Sequence, residues 1–295
     1  MKSKHPSLIK YFLVIFFIFF TSFGFAEEKG FVRELYRDLN IFDRLEDESR
    51  PKMINPREAD NPFSHLVNFP IQFNTHRKTG PDDEMKNVLN LKPQVPFILS
   101  DDWYVLTKTD IPIVTKGTDS TKDGLGDITF TTWFSPINDQ HWAWGAGPAI
   151  SFPTATDTTL GTDKWSVGPS VALGYIDETW LIGGSFTNIW SVGGEGDREV
   201  NFTSILPVVS YKINQKYFLV SSPVITSNWR LDGETWTVPV GGGIGRIVKF
   251  DRHVVSLQFQ SFYNVIHPDH EAEWTTRFQI QYFFPKKRKA FFEPK

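Results

Sequence analysis

His141-Trp142-Ala143-Trp144-Gly145-Ala146-Gly147-Pro148-Ala149-Ile150-Ser151-Phe152 is the stretch that decides the fold. Every second residue from Gly145, namely Gly145, Gly147, Ala149 and Ser151, is small or polar, and the residues between them are apolar. A period of two is the signature of a β-strand. In a soluble sandwich or barrel the apolar face would point inwards and the other face would meet water. Here the candidate inward face consists of residues too small to fill a core, so the apolar face is expected to point outwards, into lipid.

The opening of this stretch, a polar residue followed by an aromatic or β-branched one, recurs. Asp102-Trp103, His141-Trp142, Thr179-Trp180, Lys216-Tyr217 and His253-Val254 follow one another at intervals of 37 to 39 residues. Each interval accommodates one β-hairpin whose strands of about ten residues suit a tilted crossing of a bilayer. Two further strands repeat the small inward face, with Ser166, Gly168, Ser170, Ala172 and Gly174 in one and Thr237, Gly241, Gly243 and Gly245 in the other.

Read from Leu66, the alternation predicts about twelve strands. They run over 66–76, 87–99, 103–114, 127–134, 142–152, 164–175, 180–190, 200–211, 217–229, 235–248, 254–266 and 274–284. The eighth has apolar residues at both parities, so its facing stays open. Connections alternate between short turns (100–102, 177–179, 213–216, 251–253) and longer segments rich in Gly, Asp and Thr (77–86, 115–126, 154–163, 191–199). Transmembrane barrels place short turns in the periplasm and longer loops outside, and an even strand number returns both ends to one side. The expected fold is therefore an all-β, antiparallel up-and-down transmembrane β-barrel.

Aromatic residues sort to both strand ends. Trp103, Trp142, Trp180 and Tyr217 stand beside short turns, and Trp165, Trp190, Trp229, Trp236 and Trp274 beside long loops. Two belts of amphipathic rings are what the two membrane interfaces favour. Pro148 and Pro169, with Pro223, lie on the apolar face, and a closed ladder gives them no obvious place.

The flanks set the compartment. Lys2, Lys4 and Lys10 precede an apolar run from Tyr11 to Phe20, and Gly24-Phe25-Ala26 offers small residues for cleavage before Glu27, so residues 1–26 read as a secretory signal peptide. Residues 27–65 read as a periplasmic segment with a short amphipathic helix at Phe31, Leu35, Leu39 and Phe42 and a polar linker. Residues 66–285 form the barrel, and 286–295 form a basic periplasmic tail. The expected location is a Gram-negative outer membrane. No cysteine occurs, which excludes disulfides and thiolate metal sites. A net charge of −3 gives no case for nucleic acid. The expected partners are outer-membrane lipids, the outer-membrane assembly machinery and small-molecule solutes, with no cofactor. Assembly is signalled by Phe278, Ile280, Tyr282 and Phe284, which alternate up to a terminal aromatic.

Several short sequences carry a resemblance. They include Asn61-Pro62, the stretch from Pro70 to Asn74, Gly124-Leu125-Gly126-Asp127, Phe134-Ser135-Pro136 and Trp144-Gly145-Ala146-Gly147-Pro148. Phe152-Pro153-Thr154-Ala155-Thr156, Leu160-Gly161-Thr162, Lys164-Trp165, Gly168-Pro169, Asn188-Ile189-Trp190 and Trp236-Thr237-Val238-Pro239 extend it over nearly the whole mature chain. Together they resemble the bacterial outer-membrane transporter family of the meta-pathway phenol-degradation type. The resemblance implies an envelope channel for passive uptake of small molecules, aromatic or hydrophobic ones included. The chain departs from it at His267 to Glu271 and in the tail from Lys286.

Charges with lumen parity are the candidate selectivity residues: Lys92, Lys108, Asp110, Asp127 and Arg277. An unpaired buried charge costs several kcal/mol, so these need water or counter-charges around them. They could tune permeation or form a salt-bridge network that plugs the barrel, in which case a structural or adhesive role follows. A phospholipase-like enzyme would need a histidine base beside a serine, but His65, His76, His141, His253, His267 and His270 lie almost entirely at turns and strand ends. His267, Asp269, His270 and Glu271 read as a solvated loop rather than a metal site, for want of a distant third ligand.

Overall fold

The computed structural model describes residues 66–79, 83–116, 122–137, 141–250, 253–269 and 271–284. Within them the chain is all β. The first strands are β1 (Val67–Thr79), β2 (Glu84–Leu91), β3 (Gln94–Ile98), β4 (Trp103–Lys116), β5 (Gly124–Leu125), β6 (Ile128–Pro136) and β7 (Trp142–Phe152). They continue with β8 (Lys164–Ile176), β9 (Trp180–Gly194), β10 (Asn201–Lys212), β11 (Tyr217–Ser221), β12 (Ile225–Asn228), β13 (Trp236–Phe250), β14 (His253–Ile266) and β15 (Trp274–Phe284).

Three pairs of these are single staves with a break. β2 and β3 part at Lys92-Pro93, β5 and β6 at Gly126-Asp127, and β11 and β12 at Ser222 to Val224. Counted as staves there are twelve, matching the twelve expected segments. Every pairing is antiparallel and joins sequence neighbours, and the sheet closes where β1 pairs β15 from Val67↔Phe284 to Arg77↔Trp274. Closure leaves no free edge, which is how a sheet satisfies its backbone inside a membrane.

The wall has the expected polarity. Phe73, Phe97, Phe134, Val171, Leu173, Ile182, Phe186, Leu219, Ile244, Phe259, Phe278 and Ile280 are exposed on the outer face. Their strand neighbours, among them Asn68, Asn74, Ser166, Ser170, Ser256, Gln258, Gln260, Arg277 and Gln279, are buried facing the lumen. The eighth stave, β10, resolves its own ambiguity through register. Val209↔Ile182 and Tyr211↔Trp180 place its odd residues outside, so Phe202, Leu206 and Val208 face the lumen.

Two sequence expectations are corrected. The connection expected over 77–86 is mostly strand, since β1 runs to Thr79 and β2 starts at Glu84, and β9 likewise continues to Gly194. Ladder bonds continue past the end of the apolar band, where polar side chains hide the strand from a hydropathy reading. The prolines also find a place. Pro148 and Pro169 stand directly opposite each other in the β7–β8 register. Their donorless edges turn towards β6 and β9, where pairing skips from Thr131↔Ala149 to Phe134↔Ala146 and from Val167↔Trp190 to Ser170↔Thr187. Each ladder omits the bond that a proline cannot make.

Candidate functional site

The charged wall of the lumen spans adjacent staves. Lys108 and Asp110 project from β4, and Lys92 comes from the break between β2 and β3, held there by its N–H donating to Pro70 O at 2.9 Å. The Asp110 carboxylate is shared: Lys92 Nζ lies 3.0 Å from Oδ1 and Lys108 Nζ 2.8 Å from Oδ2. Their side chains are only 15–25 % exposed, so the attraction is strengthened by the low dielectric of the wall. One carboxylate neutralises one of the two ammonium groups.

Next to this cluster runs a ladder of amides. Asn68 Nδ2 donates to Gln94 Oε1 (3.1 Å), Gln281 Nε2 to Asn68 Oδ1 (3.2 Å), Gln279 Nε2 to Gln281 Oε1 (3.1 Å) and Gln72 Nε2 to Gln279 Oε1 (2.7 Å). An amide carries both donor and acceptor, so such a chain lines a wall with polar groups and adds no net charge. At its end stands Arg277. Its Nε donates to Asn74 Oδ1 at 2.9 Å, its Nη1 to Ser222 O at 2.8 Å, and the guanidinium lies over the Phe262 ring, 5.3 Å from the centroid. Lys92 and Lys108 share one carboxylate, Asp110, and Arg277 bonds to neutral acceptors, so these four residues carry an excess of positive charge.

The adjoining wall, from β6 to β9, is made of hydroxyls, small residues and one indole. Trp133 Nε1 donates to Ser170 Oγ at 3.0 Å, reaching from β6 past β7 to β8, and Ser170 Oγ lies 2.7 Å from Thr187 Oγ1. Gly145 makes this possible, because a Cβ there would lie 2.9 Å from Trp133 Cβ. Gly245 does the same for Phe218, whose ring would come within 2.0 Å of an added Cβ. The glycines that read as open lumen in the sequence are thus partly seats for aromatic rings.

Those rings belong to two apolar clusters near the short-turn end. One comprises Tyr104, Leu106 and Trp133, with Ile137, Ala143 and Ala172 against it. The other gathers Leu66, Phe218, Val220, Ile247, Val254 and Phe283. All of these strand residues have lumen parity, so the lumen is polar and cationic along the middle of one wall and apolar towards the short turns. The sequence does not show this collar because its residues come from several staves and meet only across the closed sheet.

At the long-loop end Asp127 organises the mouth. Its Oδ1 accepts the Ala155 N–H at 3.2 Å, and its Oδ2 accepts the Thr162 N–H at 2.9 Å and the Thr162 hydroxyl at 3.2 Å. Thr154 Oγ1 accepts the Ile128 N–H (2.9 Å) and donates to Gly126 O (3.1 Å), and the Thr156 N–H donates to Leu125 O (2.9 Å). Gly161 must be bare, since a Cβ there would meet Asp127 Oδ1 at 2.5 Å. Three of the resembling sequences, at 124–127, 152–156 and 160–162, converge here as one folded loop. The loop is extended by Lys122 Nζ, 2.6 Å from Asp157 Oδ2. The Lys122 ammonium, the Thr159 N–H and the Thr159 hydroxyl hold the Asp157 carboxyl down at about 2. Arg198 donates to the Thr158 and Gly161 carbonyls across the loop.

Aromatic residues stand at both ends of the staves. Trp103, Trp142, Trp180 and Tyr217 are exposed on the outer face at the short-turn end, and Trp165, Trp190, Trp229 and Trp274 at the other, with Trp236 half-buried. They pack in pairs, Trp142 with Tyr175 (5.2 Å), Trp180 with Tyr211 (4.7 Å), Trp229 with Trp236 (5.5 Å) and Tyr263 with Trp274 (5.0 Å). Beneath Trp229 lies an outward polar group the sequence did not reveal: its Nε1 donates to Thr203 Oγ1 at 2.8 Å, and Thr203 donates to Asn188. His76 lies inside β1, its Nδ1 3.0 Å from Thr275 Oγ1, while His141 meets Ile176 O and His267 meets Pro268 O. Among the described residues no group of three metal-ligating side chains gathers. His65, His270, the signal-peptide and periplasmic segments over 1–65, and the basic tail lie outside the described residues.

No protein-family model matches the sequence, and no curated protein matches it either. Solved structures do. An outer membrane channel from Pseudomonas putida F1 superposes with a TM-score of 0.56 at 14 % identity, over 76 % of this chain and 99 % of that one. The NanC porin (TM-score 0.48, 10 % identity, 74 % of this chain and 98 % of that one) and the outer membrane phospholipase of Salmonella typhi (0.36, 13 %, 80 % and 98 %) are more distant. The chain therefore shares the fold of an outer membrane channel, a closed twelve-stave antiparallel barrel.

Proposed function

We propose that the protein is an outer-membrane channel for passive uptake of small solutes, with Lys92, Lys108 and Arg277 favouring anions and the apolar collar favouring solutes with an apolar or aromatic body. The observation that carries this is the single Asp110 carboxylate shared by Lys92 and Lys108, which leaves that cluster with net positive charge beside Arg277. A fixed positive field between low-dielectric walls concentrates anions in the lumen and repels cations. On this reading the short turns are periplasmic, the loop held by Asp127 is extracellular, and the two aromatic bands, from Trp103 to Tyr217 and from Trp165 to Trp274, sit at the membrane interfaces. The resemblance to the phenol-degradation transporter family points the same way. Asp127 then shapes the entrance, and Asp110 moderates the charge of the constriction.

Solute flux into proteoliposomes tests this. Benzenesulfonate, permanently anionic and aromatic, is expected to enter faster than benzyltrimethylammonium, a cation of similar size. Equal rates, or no entry of either, would refute the reading and favour a plugged structural barrel.

A further inference from the structure

We propose that the ninth stave, β11 and β12, forms a lateral port through which an apolar solute passes between the lumen and the bilayer interior, closed in this structure by Gln260 and Arg277. The proposal builds on the channel reading, to which it adds a second route.

The backbone ladder is interrupted here on both sides, and on the β13 side Ser221 Oγ donates to Gly241 O at 2.7 Å across the gap. Pairing with β10 stops at Val209↔Ser221 and resumes at Ile205↔Ile225 in the same register, so Pro207 stands opposite Pro223 without a ladder between them. On the other side, pairing with β13 stops at Val220↔Gly243 and resumes at Thr226↔Thr237. Pro239 lies beside this gap, at the register shift where β13 meets β14. Three prolines on three consecutive staves remove donors from the middle of the wall.

A backbone group at membrane depth cannot go unsatisfied. Ser222 meets this demand from the lumen. Its N–H donates to Gln260 Oε1 at 3.0 Å, its hydroxyl is 3.0 Å from Gln260 Nε2, and its carbonyl accepts from Arg277 Nη1 at 2.8 Å. The Ser222 N–H and carbonyl, which would otherwise tie this stave to its neighbours, are thus held by two side chains. Side chains exchange partners far more readily than a ladder does, so the segment can leave the wall and return.

The outer face beyond β10 is apolar. A groove of about 520 Å³, lined by Trp142, Leu173, Tyr175, Ile182, Gly183 and Gly184, lies on the outer face. Gly184 pairs with Pro207, the edge of the seam. Inside, the apolar clusters stand towards the short turns. An apolar solute that has entered the mouth therefore meets a loosely bonded wall before it meets the collar.

The chain has no cysteine, so engineered pairs are unambiguous. Ile205→Cys with Ile225→Cys, and separately Val209→Cys with Ser221→Cys, place thiols on directly opposed residues at the two ends of the gap. Opposed Cα atoms in an antiparallel pair are about 4.5–5.5 Å apart, within disulfide reach. Cells displaying each variant in a lipopolysaccharide-bearing outer membrane are given N-phenyl-1-naphthylamine, a neutral dye that brightens in membrane interiors. In parallel, purified protein is recorded in planar bilayers. With the disulfide formed, dye entry should fall to that of cells lacking the protein while anion current persists, and reduction should restore entry. Gln260→Ala, which releases Ser222, should raise dye entry. Unchanged entry with the disulfide intact, a parallel fall of entry and current, or no entry through the wild-type protein would each overturn the port. Dye entry without any anion current would instead overturn the anion channel and leave the port standing.

Discussion

Lys108 and Asp127 show how residues that look alike in sequence differ in the folded protein. Both were marked by lumen parity alone. Lys108 lies on the lumen wall with a single shared counter-charge, so Lys108→Glu removes one cation and adds a carboxylate beside Asp110. The reversal potential should move towards cations, whereas Lys122→Glu, an exposed loop change, should leave it nearly in place. Asp127 instead ends in the mouth loop, where it holds two N–H groups and a hydroxyl. Asp127→Ala should cost about 2 kcal/mol of loop anchoring, read as an increase of about 30-fold in hydrogen exchange at the Ala155 and Thr162 amides. Parity could place Asp127 on the correct face, but its partners lie some 28 to 35 residues away in sequence, and no local pattern announces them.

At the scale of elements, the strands were legible because a period of two is independent of context. The staves match the expected segments, and the outward face is the apolar one. What was not legible depends on cross-strand register. Gly245 reads as empty lumen until Phe218 is seen lying on it, and Pro148 is unexplained until Pro169 stands opposite. Gly245→Ala should displace the Phe218 ring and cost about 1–3 kcal/mol of barrel stability, measured as a lower urea midpoint for unfolding in detergent micelles. The mouth loop has its own pH signature. Because the Asp157 carboxyl sits at about 2 in the folded loop, below its ordinary value near 3.8, the Lys122 contact contributes fully above pH 4 and is lost only as pH falls through about 2. Carbon-13 NMR of the Asp157 carboxyl should show this low midpoint in the wild type and a return towards the ordinary value in Lys122→Gln.

For the whole molecule the account comes to a cationic, amide-lined wall, an apolar collar and an aromatic-banded exterior on one closed sheet. The exterior could be argued from composition, since tryptophans sorted to strand ends have no reason to do so in water. The collar could not, because Leu66, Phe218, Ile247, Val254 and Phe283 come from five different staves and meet only after closure. The most direct measurement is the reversal potential of purified protein in a planar bilayer under a salt gradient. The account predicts selectivity for anions in the wild type, reduced in Lys92→Gln and reversed in Lys92→Glu with Lys108→Glu. A cation-selective wild type, or a reversal potential indifferent to both lysines, would contradict it.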